Sequence, residues 1–195
     1  MPRKKKRAVR GTARANAPSR YAWHRRVPWI AIGAAAIVLV VGVLLARSFG
    51  VGESAGRFTG SGTGVGNHPP ESQGAIPYAS YPPSYGPHWA PTTWGFHSEP
   101  VPDERAVHNL EHGGVVASYN NIPAESLAAL QAILTTYPKD KYNQVKLVIR
   151  PYDKIPAGTI VLTAWSWIDE LTTYDDARVR AFLGAHLNQC CEDVP

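Results

Sequence analysis

The residues best suited to chemistry are histidines, and they are crowded. Five of the seven in the chain, His68, His88, His97, His108 and His112, fall within 45 of its 195 residues. The densest stretch is Val107-His108-Asn109-Leu110-Glu111-His112-Gly113-Gly114. Residues three and four apart share one face of a helical turn, so His108, Glu111 and His112 can point the same way. Imidazole is the commonest ligand of borderline metals, and its charge changes near neutral pH. This pattern predicts a divalent metal held by His88, His108 and His112, with His68 as a further ligand. Glu111 is expected beside them, supporting a ligand or accepting a proton. Met1 is the sole methionine, which excludes a thioether copper(I) site and leaves zinc or copper(II).

Three readings of these residues stay open. His-x-x-Glu-His is also the pattern of a metalloprotease class with an adjacent glutamate as base, which keeps a metal-dependent hydrolase among them. That mechanism needs a long helix, and Gly113-Gly114 end any helix right after His112. In the second reading the imidazoles are structural, and the Tyr, Trp and Pro residues dock a protein partner in the cell envelope. The third is metal binding without catalysis. No catalytic residue can be assigned from the sequence, and whether the chain is an enzyme stays undecided. Cys190-Cys191 is a vicinal pair without a Cys-x-x-Cys, so thioredoxin-type exchange lacks its usual site.

The elements that must position these residues follow from charge and hydropathy. The net charge of +5 is the sum of two unlike parts. Residues 1–26 hold ten basic side chains and no acidic one, and residues 47–195 hold ten basic and fifteen acidic. A uniformly basic nucleic-acid-binding protein is thereby excluded. Between them, residues 27–46 carry no charge. Twenty helical residues span about 30 Å, the thickness of a bilayer core. The excess of basic residues before the span keeps the N-terminus in the cytoplasm and sends the rest outside. The expectation is a single-pass plasma-membrane protein whose basic, disordered arm attracts anionic headgroups. Residues 47–66, with seven glycines, read as a flexible linker. Residues 67–187 are the extracytoplasmic domain, and 188–195 a tail.

Within that domain, His68 to Pro102 is dense in Pro and aromatic residues and reads as an extended layer. Regular structure is expected from about residue 113: strand 114–119, helix 124–136, strands 145–150 and 159–165, and helix 175–187. This is an α+β fold with a small mixed sheet.

The segments Tyr78-Ala79-Ser80-Tyr81-Pro82-Pro83-Ser84-Tyr85-Gly86-Pro87-His88, Trp94-Gly95-Phe96 and Val107 through Val116 resemble the bacterial membrane-anchored family termed domain of unknown function 3105. The resemblance covers roughly residues 66–187. It implies His68, His88, His108 and His112 as signature histidines, and it implies no activity. Ser84-Tyr85 and His97 depart from the family pattern, which makes His97 the weaker ligand candidate.

Overall fold

The structure, a computed structural model, describes residues 55–194. The expected basic arm, the apolar span 27–46 and the first part of the glycine-rich segment lie outside them. Among the described residues no helix is long and apolar enough to cross a membrane.

Among the described residues the fold is mixed α+β, with a six-stranded mixed sheet and three helices. In chain order the elements are β1 (Arg57–Phe58), β2 (Gly95–Phe96), α1 (Asp103–Glu111), β3 (Val115–Asn120), α2 (Ala124–Thr136), β4 (Leu147–Pro151), β5 (Thr159–Ala164), β6 (Trp167–Leu171) and α3 (Asp176–His186). A short 3-10 turn occupies Glu71–Gln73. The strand order is β1-β6-β5-β3-β4-β2. β3 and β4 are parallel, as are β4 and β2, while β3, β5 and β6 run antiparallel in succession.

Alternation along the central strands assigns their two faces. Val115, Ala117, Leu147, Ile149, Ile160 and Leu162 face one side, where Leu130 and Ile133 of α2 and Val179, Phe182 and Leu183 of α3 cover them. Fully burying each such side chain is worth about 1.5–3 kcal/mol. Val116 and Val148 face the other side, against Ala106, Val107 and Leu110 of α1, with Trp165, Tyr78, Tyr85 and Trp94 packed around them. The aromatic and proline-rich segment is therefore an ordered layer over the second face. α2 connects the parallel pair β3 and β4, as a parallel crossover requires.

Four features differ from the sequence expectation. α1 precedes the predicted start of regular structure. Pro102 stands at its N-cap, and Asp103 and Glu104 fill its first turn, where acidic side chains are favoured. The strand expected at 159–165 ends at Ala164 and returns as β6. Its two-residue hairpin is Trp165-Ser166, with Ser166 at φ 68° in place of the usual glycine or asparagine. The described part of the glycine-rich segment lies on the domain and is not a free tether: β1 pairs with β6, and Thr59 N–H donates to the Ser166 carbonyl. The C-terminal residues also dock, through Asn188 N–H to the Gly113 carbonyl (2.7 Å).

Candidate metal centre

α1 carries the motif. Its first end is held by the Asp103 carboxylate and its last turn bears His108 and Glu111, three residues apart on one face. Glu104 accepts from the Ile76 backbone N–H (2.8 Å), and the buried Asn109 amide donates to the Thr93 carbonyl (2.5 Å). These two bonds clip the aromatic layer to the helix. They place Gly86 to Trp89 beside its last turn.

His68 arrives by another route. The chain crosses itself at Gly64 and Gly86. Gly64 has φ 108°, and a Cβ there would collide with the Gly86 carbonyl carbon. Only glycine permits so close a crossing. It puts Gly66 and His68 next to His88, whose backbone N–H donates to the Asn67 carbonyl (3.0 Å).

The result is a compact cluster of His68, His88, His108 and Glu111. One ligand atom from each lies within 4.8 Å of every other. The three ring centroids are 4.7, 4.7 and 5.0 Å apart. Glu111 stands at the centre and is fully buried. Its Oε2 is 2.9 Å from His88 Nε2, 3.1 Å from His68 Nε2 and 3.8 Å from His108 Nε2. Its Oε1 accepts the Gly66 N–H at 2.5 Å. His88 and His108 are buried, and the His68 side chain is 32 % exposed.

The outer nitrogens decide the chemistry. His88 Nδ1 lies 2.7 Å from the Gly86 carbonyl oxygen, and His108 Nδ1 lies 2.7 Å from that of Trp89. A carbonyl only accepts, so both Nδ1 atoms carry the proton. In the neutral rings the Nε2 atoms then turn lone pairs inward. Orientation of this kind, by backbone carbonyls behind the ring, is how proteins fix metal-ligating imidazoles. At 2.9 Å the His88 lone pair meets a carboxylate oxygen, and a cation must separate them, either a metal ion or a proton.

The electrostatics point the same way. Burial, followed by the charges of His112, His88 and His68, lowers the His108 pKa to about 4, although its bond to the Trp89 carbonyl opposes this. Burial raises the Glu111 carboxyl, but the Gly66 N–H and the His88 and His68 rings outweigh it and hold the group below its ordinary value. A buried carboxylate ringed by imidazole nitrogens is a donor set suited to a cation. His68, His88, His108 and Glu111 can hold a metal ion.

The remaining sequence candidates lie apart from this set. His112 is outside the four: its Nε2 is 2.9 Å from His108 Nε2 and 3.7 Å from Glu192 Oε2. His97 bonds Thr93 Oγ1 (3.1 Å). Glu111, expected as a supporting group, is geometrically the hub. Cys190 and Cys191 form a disulfide, and Cys191 N–H donates to the Glu111 backbone carbonyl (2.8 Å). Sequence reasoning overlooked Gly66, Glu104, Asn109 and Glu192. Only the acidic start of α1 at Glu104 carried a local signal. The two larger cavities, each about 390 Å³, contain none of the four cluster residues.

Residues 70–193 match the sequence model of the family described as protein of unknown function (DUF3105). The chain belongs to this family. The match contains His88, His108, Glu111 and His112, and it begins just after His68. No curated protein and no solved structure matches the chain. Within the DUF3105 domain, then, the geometry of the histidine cluster is the guide to function.

Proposed function

We propose that this DUF3105 protein is a membrane-anchored, extracytoplasmic module that holds one divalent cation, zinc or copper(II), on His68, His88, His108 and Glu111. One observation carries the reading: three imidazoles and a buried carboxylate bring one ligand atom each within 4.8 Å of every other, with the His88 and His108 rings oriented by the Gly86 and Trp89 carbonyls. Three nitrogens and one oxygen suit a borderline cation, and four protein donors fill a tetrahedral shell. A hydrolase would need an open position, so a held ion fits this donor set better. The ion would join three segments that are distant in sequence: the glycine-rich crossing, the aromatic layer and α1. The anchor is the uncharged run 27–46, oriented by the ten basic residues before it, which also meet anionic lipid.

The test is metal analysis of the full chain, purified without an affinity tag. One zinc or copper ion per chain is expected, and it should be lost in His88→Ala. A chain that takes up neither metal, and melts at one temperature with or without chelator, overturns the reading. Protease accessibility in intact cells checks the topology. A domain digested only after lysis would overturn the outward orientation.

A further inference from the structure

We infer that a second divalent cation binds between Glu111, His112 and Glu192, beside the first and sharing the Glu111 carboxylate, so that the fully loaded site is dinuclear. The inference rests on the mononuclear reading above and extends it with residues that site does not use.

The C-terminal segment brings the third ligand. The chain leaves α1 through Gly113, at φ 73°. A Cβ there would stand 2.5 Å from the Cys190 carbonyl oxygen and 2.9 Å from the Asn188 Cα, so the segment passes against bare backbone. Cys191 and Glu192 both donate their N–H groups to the Glu111 carbonyl, at 2.8 and 3.0 Å. Glu192 is thereby fixed beside the next residue of the motif, His112. One donor atom from each of Glu111, His112 and Glu192 lies within 4.8 Å of the other two.

The spacing is that of ligands more than of a hydrogen bond. Glu192 Oε2 is 3.7 Å from His112 Nε2, beyond hydrogen-bond range. Two donors on one zinc, with bonds of about 2.0–2.2 Å, stand about 3.3–3.7 Å apart. A cavity of about 220 Å³, lined by His112, Asn188, Glu192, Asp193 and Lys146, opens onto this position. The Lys146 ammonium there is taken up by the carbonyl oxygens of His112 (3.0 Å) and Val194.

The tautomers couple the two positions. His108 Nδ1 donates to Trp89, so its Nε2 accepts the Nε2–H of His112 at 2.9 Å. A cation held on His108 Nε2 would replace that hydrogen bond and turn the His112 Nε2 toward Glu111 and Glu192, and two ions sharing a carboxylate would stand about 3.5–4 Å apart.

Zinc chloride alone is the probe, titrated into the chelator-stripped, tag-free full chain. Stoichiometry is read by native mass spectrometry and by calorimetry. Two zinc ions per chain are expected, the second weaker, and one in Glu192→Gln. The Glu192 side chain is 41 % exposed, so that variant keeps the fold. One ion in the parent chain overturns the second site and leaves the first standing. Two ions in both chains place the second elsewhere and overturn the assignment. No bound zinc in either overturns the second site, and the first is then overturned as well if copper(II) is not taken up.

Discussion

Two buried polar clusters lie at opposite ends of α1, and they are built on opposite plans. At the first end Arg150 donates to Asp103 Oδ1 (2.7 Å), to the Val101 carbonyl (2.6 Å) and to Ser118 Oγ (3.0 Å). Tyr152 and Lys154 donate to Asp103 Oδ2, each at 3.0 Å. Every contact there has a proton between a donor and an acceptor. At the far end three imidazoles surround Glu111, and the hydrogens of His88 and His108 are spent on carbonyls behind the rings. The first cluster is complete with its own residues, whereas in the second His88 Nε2 meets Glu111 Oε2 at 2.9 Å with its ring hydrogen already given to a carbonyl. Buried polar groups are normally satisfied, so the second end needs a proton or a metal ion between His88 and Glu111 and the first needs neither.

The sharpest way to break this comparison is to damage each end in turn. Arg150→Ala leaves the Asp103 charge buried with its main partner gone, which costs about 3–5 kcal/mol. Urea unfolding should show that loss equally with and without chelator, and the zinc stoichiometry should not change. Glu111→Gln should do the reverse. Zinc at a thousand times its Kd stabilises a protein that binds it only when folded by about 4 kcal/mol. The parent chain should show that increment in thermal melts and Glu111→Gln should lack it. A zinc increment that survives Glu111→Gln, or disappears in Arg150→Ala, would erase the distinction between the two ends.

Acid tests the same contrast from another side, in the metal-free chain. Folded His108 takes a proton only near pH 4, whereas the unfolded ring does so below about 6.5. Between these values the unfolded state binds more protons, so stability falls as pH drops through the window and is level above it. The integrated loss is on the order of 3 kcal/mol. Denaturant midpoints between pH 7 and 4 should follow this slope and flatten in His108→Gln. Arg150→Ala should lower the whole curve and keep its slope. A parent chain with a flat profile would mean that the His108 ring is not desolvated.

Much of the second cluster was legible because its signal is local. His108 and Glu111 sit three apart, and any helical turn joins them. The same spacing rule put His112 on that face without showing that its ring turns toward Glu192. α1 itself was missed although Ala106, Val107 and Leu110 have helical spacing and Gly113 ends it. Nine residues behind a run of prolines are too short a pattern to read, and the turn is stabilised by long-range contacts, among them packing on Val116 and Val148 and the bonds of Asp103, Glu104 and Asn109. His68 was legible as a type but not as a neighbour. Its place depends on the Gly64–Gly86 crossing, a contact between segments whose sequences say nothing of each other. β6 escaped because Trp165-Ser166 is not a usual hairpin pair and because only Asp169 and Leu171 of the strand are fully buried. The Arg150–Asp103 pair links residues 47 apart, beyond any periodicity argument.

Smaller effects come from the rim of each cluster, where the comparison is most exacting because the side chains are partly exposed. The His68 side chain is 32 % exposed, and that of Lys154 is 53 % exposed. Each places a nitrogen near 3 Å from a buried carboxylate. If the two clusters differed only in composition, truncating either rim residue would have the same modest effect. His68→Ala removes a ligand, and zinc affinity should fall at least tenfold by calorimetry, since even groups behind a ligand contribute 10–100-fold. Lys154→Ala removes a solvent-screened partner, and Asp103 keeps Arg150 and Tyr152. The expected loss is below about 1 kcal/mol, with zinc affinity unchanged. Equal small losses, with no zinc response from His68→Ala, would reduce the histidine end to a hydrogen-bonded cluster like its neighbour. A tenfold loss confined to His68→Ala would instead show that the rim imidazole works through the ion at the centre.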